Sequence, residues 1–163
     1  MNNKKGADAK ELLQLVTFKL GKEEYSLDIL SVQEIIRHME ITRVPNAPVF
    51  VEGVINLRGR VIPVLDLRKR FGLGAEEMTA QARIIVVDIG SKTVGFRVDS
   101  VSEVLRLDAD KVEPPPTLTS SIGSEYIKGV GKLDERLIIL LDVAHVLTSI
   151  EKESLNEVSK AVA

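Results

Sequence analysis

The chain contains no cysteine and no tryptophan, and aromatic residues make up only 4% of its 163 positions. Without thiols, disulfides, thiolate catalysis and thiolate metal ligation are excluded. With so few aromatics, a core has to be aliphatic, and the 44% hydrophobic content is enough to build one. A surplus of positive charge is also missing. Twenty-two basic side chains face 24 acidic ones, for a net charge of −2. That speaks against a nucleic-acid binder, which needs a basic stripe to displace counterions, although a local basic patch remains compatible. No apolar run reaches the ~18 residues that a membrane-spanning helix needs. The first twelve residues, MNNKKGADAKEL, lack the apolar segment of a signal peptide. These absences predict a soluble, cytoplasmic protein of one domain, or of two small halves packed together.

What is present is β-rich and punctuated. Residues 1–11 are polar and predict disorder. "LQLVTFKLGKEEYSLDIL" alternates around Gly21-Lys22, which predicts a hairpin. "RVPNAPVF" reads as an extended loop. "VEGVINL" and "RVIPVLDL" predict a second hairpin, turning at Arg58-Gly59 with Gly59 at positive φ. Pro63 lies inside the second run and cannot donate to a ladder, so that strand is expected at an edge or at a bulge. "DLRKRFGLG" predicts a short helix capped by Asp66 and ended by Gly72 or Gly74. The order then repeats. A hairpin turns near Gly90-Ser91, a loop is stiffened by three prolines, and a strand pair over "IKGVGKLDERLIILLDV" leads into a closing helix. Residues 151–163 form a weakly patterned tail.

The repetition is internal duplication. A shift of 76 positions lays residues 53–66 on a matching run, pairing Gly53 with Gly129, Leu57 with Leu133, Arg60 with Arg136 and Asp66 with Asp142. Chance would give about one identity there. A shift of 69 pairs Gly21 with Gly90, Val32 with Val101 and Glu34 with Glu103. The surplus of seven residues is expected in the proline loop. The expected fold is all-β: two units, about 15–75 and 82–150, each a small closed barrel of roughly five strands with a short helix.

The duplication sharpens one question. Arg58-Gly59 at the first hairpin tip becomes Asp134-Glu135 at the second. The architecture therefore does not require Arg58. Either Arg58 is a solvated tip charge, or it makes a directed contact to a partner carboxylate. Asp66 and Asp142 could suggest an aspartic-protease dyad, but each lacks a following Ser/Thr-Gly and opens a helix pattern, which favours capping. A hydrolase, or a small-ligand-binding barrel using the cleft between the units, is the rival reading. His38 and His145 are isolated and make a poor metal site. "GLGAEE" lacks the Lys-Ser/Thr of a phosphate loop. Glu34 and Glu103 read as turn or helix-start residues rather than paired acids. No catalytic constellation, cofactor site or metal site emerges, which points to a binding module.

"LDILSVQEII", "VPNAPVFVEGVINLRGRVIPVLDLRKRFG", "VGFRVDSVSEVL" and "YIKGVGKLDERLIILLDV" together resemble the CheW family of chemotaxis coupling proteins, over about residues 12–150. The resemblance implies two five-stranded SH3-like barrels. It implies a non-enzymatic adaptor that links the cytoplasmic tips of chemoreceptors to the histidine kinase CheA, through the kinase's own CheW-like regulatory domain. It further implies a location at receptor arrays on the inner face of the membrane, and a protein that is monomeric when isolated. The family's signature arginine maps onto Arg58, within a motif that includes Asn56. Receptor-binding positions map onto Val32, Glu34 and Gly53, and in the second unit onto Gly95, Val98 and Val104. No kinase-binding residue is assigned by the resemblance.

Overall fold

The computed structural model describes residues 11–73, 79–114 and 126–146. Residues 1–10 of the expected tail at 1–11, the expected tail at 151–163, most of the proline loop and most of the closing helix lie outside the described residues. Among the described residues, alternating apolar side chains produce eleven strands. The first copy holds β1 (Leu12–Leu20), β2 (Glu23–Asp28), β3 (Val32–Arg37), β4 (Val51–Leu57) and β5 (Arg60–Asp66). A single helical turn, α1 (Leu67–Arg70), follows. The second copy holds β6 (Arg83–Ile89), β7 (Lys92–Val98), β8 (Ser100–Asp108), β9 (Val112–Glu113), β10 (Ile127–Leu133) and β11 (Arg136–Leu141).

The strands do not sort by copy. One sheet has the order β3-β6-β7-β5-β4, and the other β8-β1-β2-β11-β10-β9. Each copy lends its first hairpin to the sheet of the other. The exchange is reciprocal: β5 runs parallel to β7, and β11 runs parallel to β2. The expected boundaries at 15–75 and 82–150 are thereby corrected, since neither segment makes a sheet of its own. The fold class stands as two SH3-like β subdomains, with β9 as a sixth short strand in the second sheet.

The duplication holds at the level of single hydrogen bonds. Asp66 N–H donates to Phe50 O at 2.8 Å, and Asp142 N–H donates to Tyr126 O at 2.7 Å. A Cβ on Gly53 would stand 2.2 Å from Thr42 O, and one on Gly129 would stand 2.8 Å from Glu113 O. Thr42 pairs with Val54 as Glu113 pairs with Val130, so β9 repeats the bridge at Thr42. Part of the extra length therefore enters ahead of Glu113, at the 3-10 turn Ala109–Lys111, and not wholly in the proline loop.

Pro63 is neither at an edge nor at a bulge, because β5 has neighbours on both sides. Its partner on β4 is Val54, whose N–H and C=O both bond Thr42 at 2.8 Å. On the other side the ladder to β7 begins at Val64. The missing N–H is therefore not needed at this position.

Three cores result. Ile55, Ile62, Val64 and Ile84 fill the first subdomain, while Leu15, Leu107, Ile138 and Leu140 line the second. The largest core lies between the sheets, with Phe18, Leu27, Leu65, Ile85 and Phe96 at its centre. All six aromatic residues of the chain belong to this shared core, and Phe18, Tyr25, Phe71 and Tyr126 form a continuous stack. Among the described residues, this core occupies the place where a cleft between the units was expected.

Candidate functional site: the Arg58 hairpin tip and its counterpart

The β4–β5 turn has Arg58 at φ 52° and Gly59 at φ 88°. Two left-handed central residues match the right-handed twist of the flanking strands. Glycine takes this conformation freely. An arginine there costs about 1–2 kcal/mol. Asn56 offsets part of that cost, since its Oδ1 accepts the Gly59 N–H at 2.8 Å. Asp134 holds the matching place at φ 55°. The backbone shape thus belongs to the architecture, and the arginine does not.

Arg58 is 68% exposed, and its guanidinium pairs with the Glu34 carboxylate on β3. That ion pair ties the hairpin tip to the opposite edge strand of the same sheet. Glu34 and Glu103 both lie on strands, correcting their reading as turn or helix-start residues. The second copy makes the same tie differently. Arg136, which matches Arg60, grips Glu24 at 2.6 and 3.2 Å and reaches Glu103 at 3.0 Å. Glu103 matches Glu34, and Glu24 matches Thr93. In the first copy Arg60 donates to Thr93 Oγ1 at 3.0 Å and leaves Glu34 to Arg58. One arginine does in the second subdomain what two share in the first.

The remaining predicted positions separate by burial. Gly53 and Gly95 stand in one register row with Glu34, through Val64 and Val86. Gly53 has φ 155°, where Thr42 presses on it, and a Cβ on Gly95 would stand 2.7 Å from Ile84 Cγ2. Val98 is 2% exposed and belongs to the shared core, against which Val32 packs half-buried. Val104 lies on β8 of the other sheet and is 56% exposed. Of the eight positions, the structure joins Glu34, Asn56 and Arg58 at one sheet end and exposes Val104. Gly53, Gly95 and Val98 are buried. Sequence reasoning missed Leu30, 90% exposed on the 3-10 turn Ile29–Ser31, and Val49, 82% exposed in the loop before β4. An apolar residue inside a turn or loop segment was the available signal.

The acidic groups serve structure. Asp66 Oδ1 accepts the Arg68 N–H at 3.0 Å, and Asp142 Oδ1 accepts the Ala144 N–H at 3.1 Å. Both therefore cap, each at the end of a strand in a different sheet. Burial pushes the Asp66 carboxyl up, against the pull of Arg97, which lies 3.3 Å from Asp66 and 2.9 Å from Glu52. Asp99 goes the other way. Burial opposes its charge, but Arg68 at 3.0 Å and the Gly21 N–H at 2.7 Å outweigh that and hold its carboxyl below the usual aspartate range. His38 is lowered by burial and by the Arg97 charge, while His145 sits exposed against Asp142 at 2.8 Å. Among the described residues no group of three metal-ligating side chains occurs.

The chain matches the CheW-like domain family over residues 14–151. It is 40% identical to the chemotaxis protein CheW of Klebsiella aerogenes over 91% of this chain and 89% of that one. It is 37% identical to the chemotaxis protein CheW of Thermotoga maritima over 88% and 93%. Among solved structures, it superposes on the scaffolding protein TtCheW of Thermoanaerobacter tengcongensis with a TM-score of 0.80 and 39% identity, covering 88% of this chain and 97% of that one. The family match over most of the sequence and the identity to these relatives show that the chain belongs to the CheW-like family.

Proposed function

We propose that the protein is a non-enzymatic chemotaxis adaptor that couples chemoreceptor tips to the histidine kinase CheA at arrays on the inner face of the membrane. Family membership supports the coupling role. The single observation that supports Arg58 as a receptor contact is its placement: a costly, outward arginine at a turn where the second copy carries Asp134. Backbone cost without a structural need is a sign of function. Glu34 holds the guanidinium at the sheet end, so the fork is already oriented for a carboxylate on the receptor. Val104 and Val32 add apolar contact, whereas Gly53, Asn56, Gly95 and Val98 act by shaping the surface.

The test is a pull-down against a receptor-tip fragment and a CheA regulatory-domain fragment. Arg58→Glu should lose the receptor and keep the kinase. The double variant Arg58→Glu/Glu34→Arg restores the local ion pair with the outward charge reversed, and it should still fail on the receptor. Recovery of receptor binding by the double variant would make the pair merely structural. Wild type binding neither fragment while folded would overturn the adaptor reading.

A further inference from the structure

The two copies also differ at a cross-strand pair, on the margin of the face that each sheet turns to the shared core. In the first, Arg37 on β3 stands directly opposite Arg83 on β6. Side chains opposite each other in an antiparallel pair lie about 5 Å apart, and like charges there are destabilising. Arg83 Nη1 donates to Ala80 O at 3.1 Å and to Ala82 O at 2.8 Å, which fixes its guanidinium without neutralising it. Among the described residues, no hydrogen bond or ion pair holds the Arg37 side chain.

The fold does not require this opposition, as the second copy demonstrates. The shift of 69 that lays Arg37 on Arg106 also lays Gln14 on Arg83. Gln14 stands directly opposite Arg106. One register therefore carries an arginine and a glutamine in one sheet, and two arginines in the other. Ile35 lies two residues before Arg37 on the same face of β3 and is 39% exposed. The first copy thus presents two unneutralised guanidiniums beside an accessible aliphatic side chain, in a chain whose net charge is −2.

We infer that Arg37 and Arg83 bind a carboxylate on the receptor tip, beside an apolar residue that Ile35 receives. This contact rests on the adaptor reading and adds a second receptor-reading point to Arg58. Position favours the receptor over the kinase. The same strand carries Glu34, which holds Arg58. Across from Arg83 on β7 stands Val98, another position that the family resemblance ties to the receptor. A carboxylate between the two guanidiniums makes charge-assisted hydrogen bonds and relieves their repulsion in one step. A basic or purely apolar surface would leave the two charges opposed.

The test titrates the full chain into a labelled receptor-tip fragment and, separately, into a CheA regulatory-domain fragment. Arg37→Gln copies the pair of the second sheet. It should weaken receptor binding about fivefold and leave kinase binding unchanged. Its urea midpoint should stay level or rise slightly, because a like-charge opposition is removed. The difference in receptor affinity should shrink at ~0.5 M salt. Wild type that binds the kinase but not the receptor would sink the receptor half of the adaptor reading, and this contact with it. Wild type that binds the receptor no better than Arg37→Gln does would overturn this inference alone. Equal losses toward both fragments, or a lowered urea midpoint, would overturn it too, because the pair would then be structural.

Discussion

The two sheets are built from the same parts and differ in how they are closed. In the first, Arg97, Glu52 and Asp66 form a charged clamp at one end, and Arg58 and Glu34 tie the other. In the second, Arg136 alone ties Glu24 and Glu103 at the equivalent end, and the clamp positions carry Asp28 and Lys128 without pairing them. Duplication therefore preserved backbone and register, while side chains at the two rims diverged. The rims are where a solvated substitution costs least, and where partners and ligands are met.

Cutting the comparison at its root should have the largest effect. A fragment ending at residue 75 keeps β1–β2 but loses β8 and β11, which pair with them. Circular dichroism should show it unfolded alone, with native signal returning only on mixing with a fragment covering 82–163. An independently folded first fragment would refute the reciprocal exchange.

Next in size are the paired glycines. Gly53→Ala forces a Cβ to 2.2 Å from a backbone carbonyl at a φ that favours glycine, and it should cost about 3 kcal/mol or more in urea unfolding. Gly129→Ala meets the equivalent carbonyl at 2.8 Å and should cost less, while remaining clearly destabilising. Equal costs would mean that the closer carbonyl and the positive φ at Gly53 add no strain beyond that at Gly129.

Arg68 and Asp99 pin α1 to the turns of β1–β2 and β7–β8, with the Arg68 side chain only 9% exposed. Asp99→Ala removes the main acceptor of a nearly buried guanidinium, for about 2 kcal/mol once the partial exposure of Asp99 is allowed for. The folded carboxyl is held below its unfolded value of 3.8. Its contribution is therefore complete above that pH and is lost as the pH falls through the lower folded value. Asp66, raised in the fold, works in the opposite sense: it disfavours folding as the pH rises past 3.8. Urea midpoints of wild type should drop more steeply below pH 4 than those of Asp99→Asn. Parallel curves would remove Asp99 from the account.

The smallest effects separate the two ties. Asn56→Ala removes the turn hydrogen bond and should cost about 1 kcal/mol. Arg136→Ala, which breaks two ion pairs, should lower the midpoint slightly. Arg58→Ala, at an exposed single pair, should leave it unmoved. A larger stability loss for Arg58 than for Arg136 would reverse the assignment of function and structure between them.

Strands, turns and the duplication were legible because period-two patterns, Gly21, Gly59 and Gly90 act locally. The hairpin exchange was not. Alternation fixes which face of a strand is buried, but it does not name the neighbour, and the hairpins at Gly21 and Gly90 present similar apolar faces. At the candidate site, Gly59 announced the turn. The bond from Arg58 to Glu34 spans a sheet end that no local pattern describes, and the burial of Gly95 and Val98 depends on the neighbouring copy.

The stacked aromatics have one more consequence. The six rings sit in the shared core and in neither subdomain interior, and the chain has no tryptophan. The seam between the halves is thus the molecule's only near-ultraviolet chromophore. Near-ultraviolet dichroism reads the state of the joint alone, while the far-ultraviolet band reads the strands. Loosening of one half against the other would appear in the first signal before the second, without any label being attached.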